Sequence, residues 1–327
     1  MLPPRFVRRL VLPPLLFAVA IAAIAASPLL LLIGAVASRG RHRFLRIAVI
    51  SVHWLALECA VLTACLFLWV IGGSPETVRT RHYALCGWFL TRVYDAATRV
   101  LGLVVEIQEP LDMVPERPVI VLSRHGGPGD SFLIVHYLLN VYARRPRIVM
   151  KAALQLDPSV DVLLNRLPNA FVPGGPASRE RIVEEIGRLA TGIGPADALL
   201  IFPEGGNFTP RRRVRAIRRL RRQGRPHEAE RARTMANVLP PHPTGSLAAI
   251  DAAPGADVAF IAHTGLDDIM TAGNVWRRIP LEQPLRARWW RVPREAIPED
   301  DRERWLFDWW QTIDDWIAEN RPQPTAT

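Results

Sequence analysis

His125 and Asp130 stand five positions apart in a glycine-rich segment, Ser123-Arg124-His125-Gly126-Gly127-Pro128-Gly129-Asp130. A neutral imidazole can take a proton from a hydroxyl near neutral pH. A neighbouring carboxylate holds the ring in one tautomer and stabilises the imidazolium that forms. Backbone N–H groups of Gly126 and Gly127 are candidates to stabilise an oxyanion. The chain contains no G-x-S-x-G, so no serine nucleophile is marked out. The nucleophile would then be the hydroxyl of an acceptor, which is the chemistry of acyl transfer. A plain polar turn capping a helix fits the same spacing, and the spacing alone leaves both readings open.

The elements around the segment suit such a site. Pro118-Val119-Ile120-Val121-Leu122 reads as a buried strand entering it. Phe132 to Leu139 reads as a helix leaving it, with Asp130 or Ser131 at the N-cap. The pair therefore sits at a strand end beside a helix N-terminus, where partial positive charge favours anions.

About seventy residues on stands Phe202-Pro203-Glu204-Gly205. H-x-x-x-x-D followed at this distance by F-P-E-G resembles the glycerolipid acyltransferase family, which includes the PlsC-type lysophosphatidic acid acyltransferases. The segments 148–154 and 167–172 between the motifs, and 237–245 after them, are similar to blocks of that family. The resemblance runs in order from about residue 80 to about residue 270. It implies an α/β domain with a central, mostly buried sheet flanked by helices. It implies a fatty acyl group moving from acyl-CoA or an acyl carrier protein to a lysophospholipid such as 1-acyl-glycerol-3-phosphate. No metal or bound cofactor is implied. His125 and Asp130 would be catalytic, with Gly126 and Gly127 at the oxyanion. Lys151, Arg179, Arg181, Glu204, Gly205, Arg211 and Arg212 would bind substrate. The family typically carries a phosphate-holding arginine at the place of Pro173 here. Arg179 or Arg181 is the expected substitute, and the acceptor's identity stays open.

The formal net charge is +10, almost all from arginine, since Lys151 is the only lysine. A basic excess of this size points to anionic partners such as phospholipid head groups or a nucleotide-bearing thioester. No recognisable nucleic-acid motif accompanies it, so a nucleic-acid partner is not expected. Cys59, Cys65 and Cys86 have no metal-ligand spacing and read as reduced packing residues.

Two apolar runs open the chain, Leu10 to Ala37 and Ile47 to Gly73, separated by Arg39, Arg41, Arg43 and Arg46. Each exceeds the roughly 20 residues that cross a bilayer. Two full crossings would put the arginine-rich loop outside, against the positive-inside rule. A re-entrant or interfacial hairpin keeps all the arginines on one face. A cleaved leader ending near Ala25-Ala26-Ser27 competes, but the apolar run continues past it and a second follows. The expected organisation is a membrane-associated segment at 1–75 and a catalytic domain at 76–327 on the cytoplasmic face. Its core runs over about 104–292.

Glu76 to Gly102 reads as an amphipathic helix, and residues 104–108, 147–150, 170–172, 198–202 and 257–263 as strands. Pro173 to Pro176 forces a turn, and Arg179 to Thr191 reads as a helix. Pro210 to Arg222 reads as a basic helix, fit for an anionic membrane, an acyl donor, or plain solvent. His263 reads as a strand-end packing residue. Leu285 to Val292 alternates as an edge strand would, and a tryptophan-striped helix at about 299–320 closes the fold. Pro322 onward reads as a frayed tail. Two further functions stay in view: a non-catalytic binder of anionic membranes, and a thioesterase that uses water as acceptor.

Overall fold

The computed structural model describes residues 2–37, 40–110, 114–127, 129–173, 179–267 and 272–321. The turn expected at 174–176 and the tail from 322 lie outside these residues, as does Pro128. The chain folds as two compact units. One comprises residues 1–103, 135–179 and 276–282, and the other residues 104–134, 180–275 and 283–327.

In the first unit, α1 (Arg5–Ala37) and α2 (Arg43–Ile71) form an antiparallel hairpin, followed by α3 (Pro75–Ala96). Ser74 caps α3 by accepting the Thr77 N–H at 3.2 Å, and Pro75 at the first turn needs no partner. The helix expected to reach Gly102 is α-helical to Ala96, then widens into a π-helical turn, Ala97–Leu101.

The second unit holds β1 (Val105–Gln108), β2 (Val119–Ser123) and α4 (Asp130–His136), whose last two residues belong to the first unit. The parallel strands β3 (Arg145–Lys151) and β4 (Ala170–Val172) lie in the first unit, with α5 (Pro158–Leu163) between them. The second unit resumes with α6 (Arg179–Ala190), β5 (Asp197–Ile201), α7 (Pro210–Arg222), α8 (Pro226–Thr234), α9 (Pro243–Ala252) and β6 (Asp257–Thr264). After α10 (Ala272–Arg278) come β7 (Leu285–Val292) and α11 (Arg302–Asn320).

Five strands of the second unit lie side by side in the order β1-β7-β6-β2-β5. β2 runs parallel to β5 on one side and to β6 on the other. Every residue of β2 and β6 is buried, as a strand covered on both faces requires. The apolar runs Val119–Leu122 and Val258–Ala262 supply that burial.

β7 is not the edge that its alternation suggested. It pairs antiparallel with β6 and parallel with β1, so β1 lies outside it. Its alternating pattern comes from one buried and one half-covered face, which an interior strand near the rim also shows. The tryptophan helix α11 docks on the sheet: the Trp309 ring stacks on Phe260 at 4.5 Å, and Trp310 is fully buried.

Within the first unit, the apolar hairpin is tied down at both ends. At the start of α1, Arg8 and Arg9 reach Asp161 of α5 at 2.9 and 3.1 Å. At the turn into α2, Arg43 donates to the carbonyls of Ile279 and Arg277 at 3.1 Å each. Arg41 pairs with Glu282 at 2.6 Å, and Arg46 donates to the Val100 carbonyl. Further along α2, Arg166 donates to the Cys65 carbonyl at 3.0 Å. The outer face of α1 carries exposed Leu10, Leu15, Ile21, Leu29 and Leu32.

Candidate active site

Three neighbouring parallel strands end at one place, and the candidate site is built there. β2 delivers Arg124 and His125, β5 delivers Glu204, and β6 delivers His263. In sheets of this kind, ligand sites form outside the carboxyl ends of the strands.

His125 Nδ1 lies 2.9 Å from Asp130 Oδ2. The carboxylate can only accept when ionised, so Nδ1 carries the hydrogen and Nε2 keeps its lone pair. The histidine side chain is 20% exposed and the aspartate side chain 1%. Phe202 lies beside the imidazole, with ring centres 4.5 Å apart. Asp130 opens α4, and its Oδ1 accepts the Ser131 N–H at 2.6 Å and the Ser131 hydroxyl at 3.1 Å. Its Oδ2 also accepts the Gly127 N–H at 3.3 Å. Burial works to raise the Asp130 pKa. The hydrogen bond from His125, the charges of both neighbouring histidines and the Gly127 N–H outweigh it, and the carboxyl stays below its ordinary range.

Glu204 is buried under the loop. Its two oxygens accept backbone N–H groups, Oε1 from His125 at 3.2 Å and Oε2 from Leu239 at 3.0 Å. Burial pushes this carboxyl up to about 8, against the opposing pull of the Arg124 charge and the two N–H donors. Gly205 turns with φ 68, a conformation that favours glycine. A Cβ there would also come within 3.3 Å of the His242 ring. His242 closes the turn by donating its N–H to the Pro203 carbonyl at 2.8 Å.

The segment 236–239 is held from behind by Asp314 of α11, which accepts the N–H groups of Ala236 and Asn237 at 2.9 and 2.5 Å. Arg124 points inward from the end of β2. It donates to the carbonyls of His263 at 2.8 Å and Asn237 at 3.1 Å, and pairs with Asp267.

The remaining expected residues fall into two groups. Gly126 and Gly127 are buried in the loop, and the Gly127 N–H is already engaged at Asp130. Lys151 ends β3 in the first unit, exposed. Arg181 is exposed on α6, while the Arg179 side chain lies outside the described residues. Arg211 and Arg212 are exposed in the first turn of α7, where Arg212 donates to the Asn207 carbonyl at 3.0 Å. Sequence reading missed the inward roles of Arg124, Asp267 and Asp314. Their signal was a charged residue beside an apolar run, and that signal is common on surfaces too.

Residues 104–245 match the family model described as Acyltransferase. The chain carries an acyltransferase domain and is an acyltransferase, as the paired motifs implied. Its fold is that of the 1-acyl-sn-glycerophosphate (LPA) acyltransferase PlsC from Thermotoga maritima. The structures are similar with a TM-score of 0.53 at 16% sequence identity, over 85% of this chain and 97% of that one. Comparison with curated proteins gives no match.

Proposed function

We propose that this enzyme moves a fatty acyl group from a thioester, acyl-CoA or an acyl carrier protein, to the hydroxyl of a lysophosphatidate-like acceptor. The observation that carries the reading is the His125–Asp130 contact at 2.9 Å, which leaves Nε2 as the free nitrogen of a partly exposed ring. The acceptor follows that of the Thermotoga maritima protein, an LPA acyltransferase. It also suits a chain of net charge +10.

His125 Nε2 takes the proton from the acceptor hydroxyl as its oxygen attacks the thioester carbonyl. Asp130 stabilises the imidazolium. The carbonyl electrons move to oxygen, and with the Gly127 N–H turned to Asp130, the Gly126 N–H is the donor we assign to that oxyanion. Collapse breaks the carbon–sulfur bond, and the departing thiolate recovers the proton from His125. Glu204 and Gly205 hold the loop and its floor. Lys151, Arg179, Arg181, Arg211 and Arg212 are the cations offered to the acceptor and donor phosphates.

Residues 1–75 act as the anchor and residues 76–327 as the enzyme, on the cytoplasmic face. The anchor is an interfacial hairpin. Arginines at its terminal end and at its turn both bond to other elements of the same unit, so neither end is released to a far side. Its exposed apolar face is free to enter the lipid.

The test is thiol release from a long-chain acyl-CoA by membranes carrying the protein, with and without lysophosphatidate, beside His125→Ala. Release requiring both the acceptor and His125 is expected. Release without acceptor points to hydrolysis. Full activity in the variant would sink the mechanism.

A further inference from the structure

Asp130 is approached by two imidazoles. Besides His125, His263 brings Nε2 to 3.7 Å from Asp130 Oδ2. The same nitrogen lies 3.1 Å from the Arg124 carbonyl oxygen. Both neighbours are acceptors, so Nε2 is the nitrogen that carries the hydrogen. Its Nδ1 is buried with no partner among the described residues, as a bare lone pair there would be.

This is an expensive way to end a strand. The other residues of β6 from Val258 to Ala262 are apolar and buried, and another apolar side chain at position 263 would cost less. Instead the imidazole sits beside a buried ion pair, Arg124 with Asp267. Arg124 Nη1 holds the His263 carbonyl at 2.8 Å. The cluster also presses on the loop. A Cβ on Gly126 would lie 2.5 Å from Arg124 Nη1 and 3.0 Å from His263 Cε1. The network thus touches both the carboxylate that faces His125 and the backbone that follows it.

We propose that His263 is a positioning residue of the catalytic pair: its Nε2–H, bonded to the Arg124 carbonyl and 3.7 Å from Asp130 Oδ2, turns the positive end of its dipole toward Asp130 and so holds that carboxylate on His125, and the Arg124–Asp267 pair fixes His263. The proposal rests on the His125–Asp130 reading above. Asp130, Arg124 and Asp267 are the charged groups that face His263. Burial holds the His263 ring below its ordinary pKa, which agrees with a neutral N–H donor.

The sign of the effect follows from competition. Removing that N–H dipole leaves the Asp130 charge less stabilised, so it pulls harder on the His125 proton. The His125 imidazolium is then favoured, and the acid limb of the pH–rate profile moves to higher pH. His263→Leu is expected to show that move, with kcat down tenfold or more and KM unchanged. His263→Gln, which keeps an N–H donor, is expected to recover most of both. A Leu variant with the wild-type limb and kcat would overturn the proposal. So would a Gln variant as impaired as Leu, since that is what a merely structural role predicts. A second measurement needs no variant and no turnover. Nitrogen NMR of the histidine-labelled full-length enzyme should show His263 as the Nε2–H tautomer across neutral pH, and the Nδ1–H tautomer would overturn the proposal. His125→Ala in the same activity assay separates the two failures, because activity there would remove the His125 mechanism while the tautomer measurement still stands.

Discussion

Asp130 and Glu204 are both buried carboxyls, both bonded to His125, and they are held in opposite charge states. Asp130 grips the ring and is kept ionised, because it gathers an imidazole N–H, two backbone N–H groups and a hydroxyl. Glu204 grips the backbone of the same residue with two N–H donors, and burial lifts it to about 8. What separates them is the number and charge of their donors, more than their depth. A group that must stabilise a developing cation needs to be charged before the reaction starts. A group that only holds a loop in place can be neutral.

The largest effect should come from changing the ring's partner. Asp130→Asn removes the charge and offers an amide to Nδ1, so the ring can settle in the wrong tautomer. We expect kcat to fall by about 10³–10⁴, on the scale seen for such a change in a serine hydrolase triad. Steady-state kinetics checks this, and a loss under tenfold would place the base elsewhere. Glu204→Gln should act on stability more than chemistry. One end of the amide must then face a backbone N–H donor. A cost of about 1–3 kcal/mol is expected, the usual penalty for a buried group left unpaired. Chemical denaturation measures it, and an unchanged midpoint would deny Glu204 its role under the loop.

The smallest effect is in the pH dependence of stability, and the two carboxyls should pull opposite ways. Glu204 has a raised folded pKa, so between its ordinary value of 4.5 and about 8 the folded protein binds more protons than the unfolded chain. Its contribution therefore falls as pH rises through that window. Asp130 is lowered from 3.8, so its contribution is present above that value and is lost as pH falls below it. Denaturation midpoints across pH should lose the falling slope between 4.5 and 8 in Glu204→Gln, while the acid-side loss persists. An identical slope in that variant would mean Glu204 titrates normally.

The same pair shows how far the sequence could be read. Asp130 was legible because a local spacing delivers it: five positions on from His125, across a glycine turn into a helix. The Pro-Glu-Gly motif marked Glu204, but its partners are backbone groups of His125 and Leu239, which no side-chain pattern announces. Arg124 and His263 meet because β2 and β6 run in register, Ser123 opposite Ile261, and spacing within the chain carries no trace of that. The buried strands were plain from their unbroken apolar runs. The place of β7 was not, because an alternating strand looks the same whether its last neighbour is solvent or β1.

The central position of β2 has a consequence during synthesis. Its neighbours, β5 and β6, are made long after it, and β6 ends only at Thr264. At about 5–20 residues per second, the wait from Ser123 to Thr264 is roughly 7–28 s. Until Ile201 is made, a fully apolar stretch, Val119–Leu122, has neither of its hydrogen-bonding partners, and until Thr264 it lacks one of them, and such edges pair with other chains. The strand that leads into the candidate catalytic histidine is therefore a segment of the nascent chain in need of shelter, and the site cannot be complete until β6 has been made through Thr264.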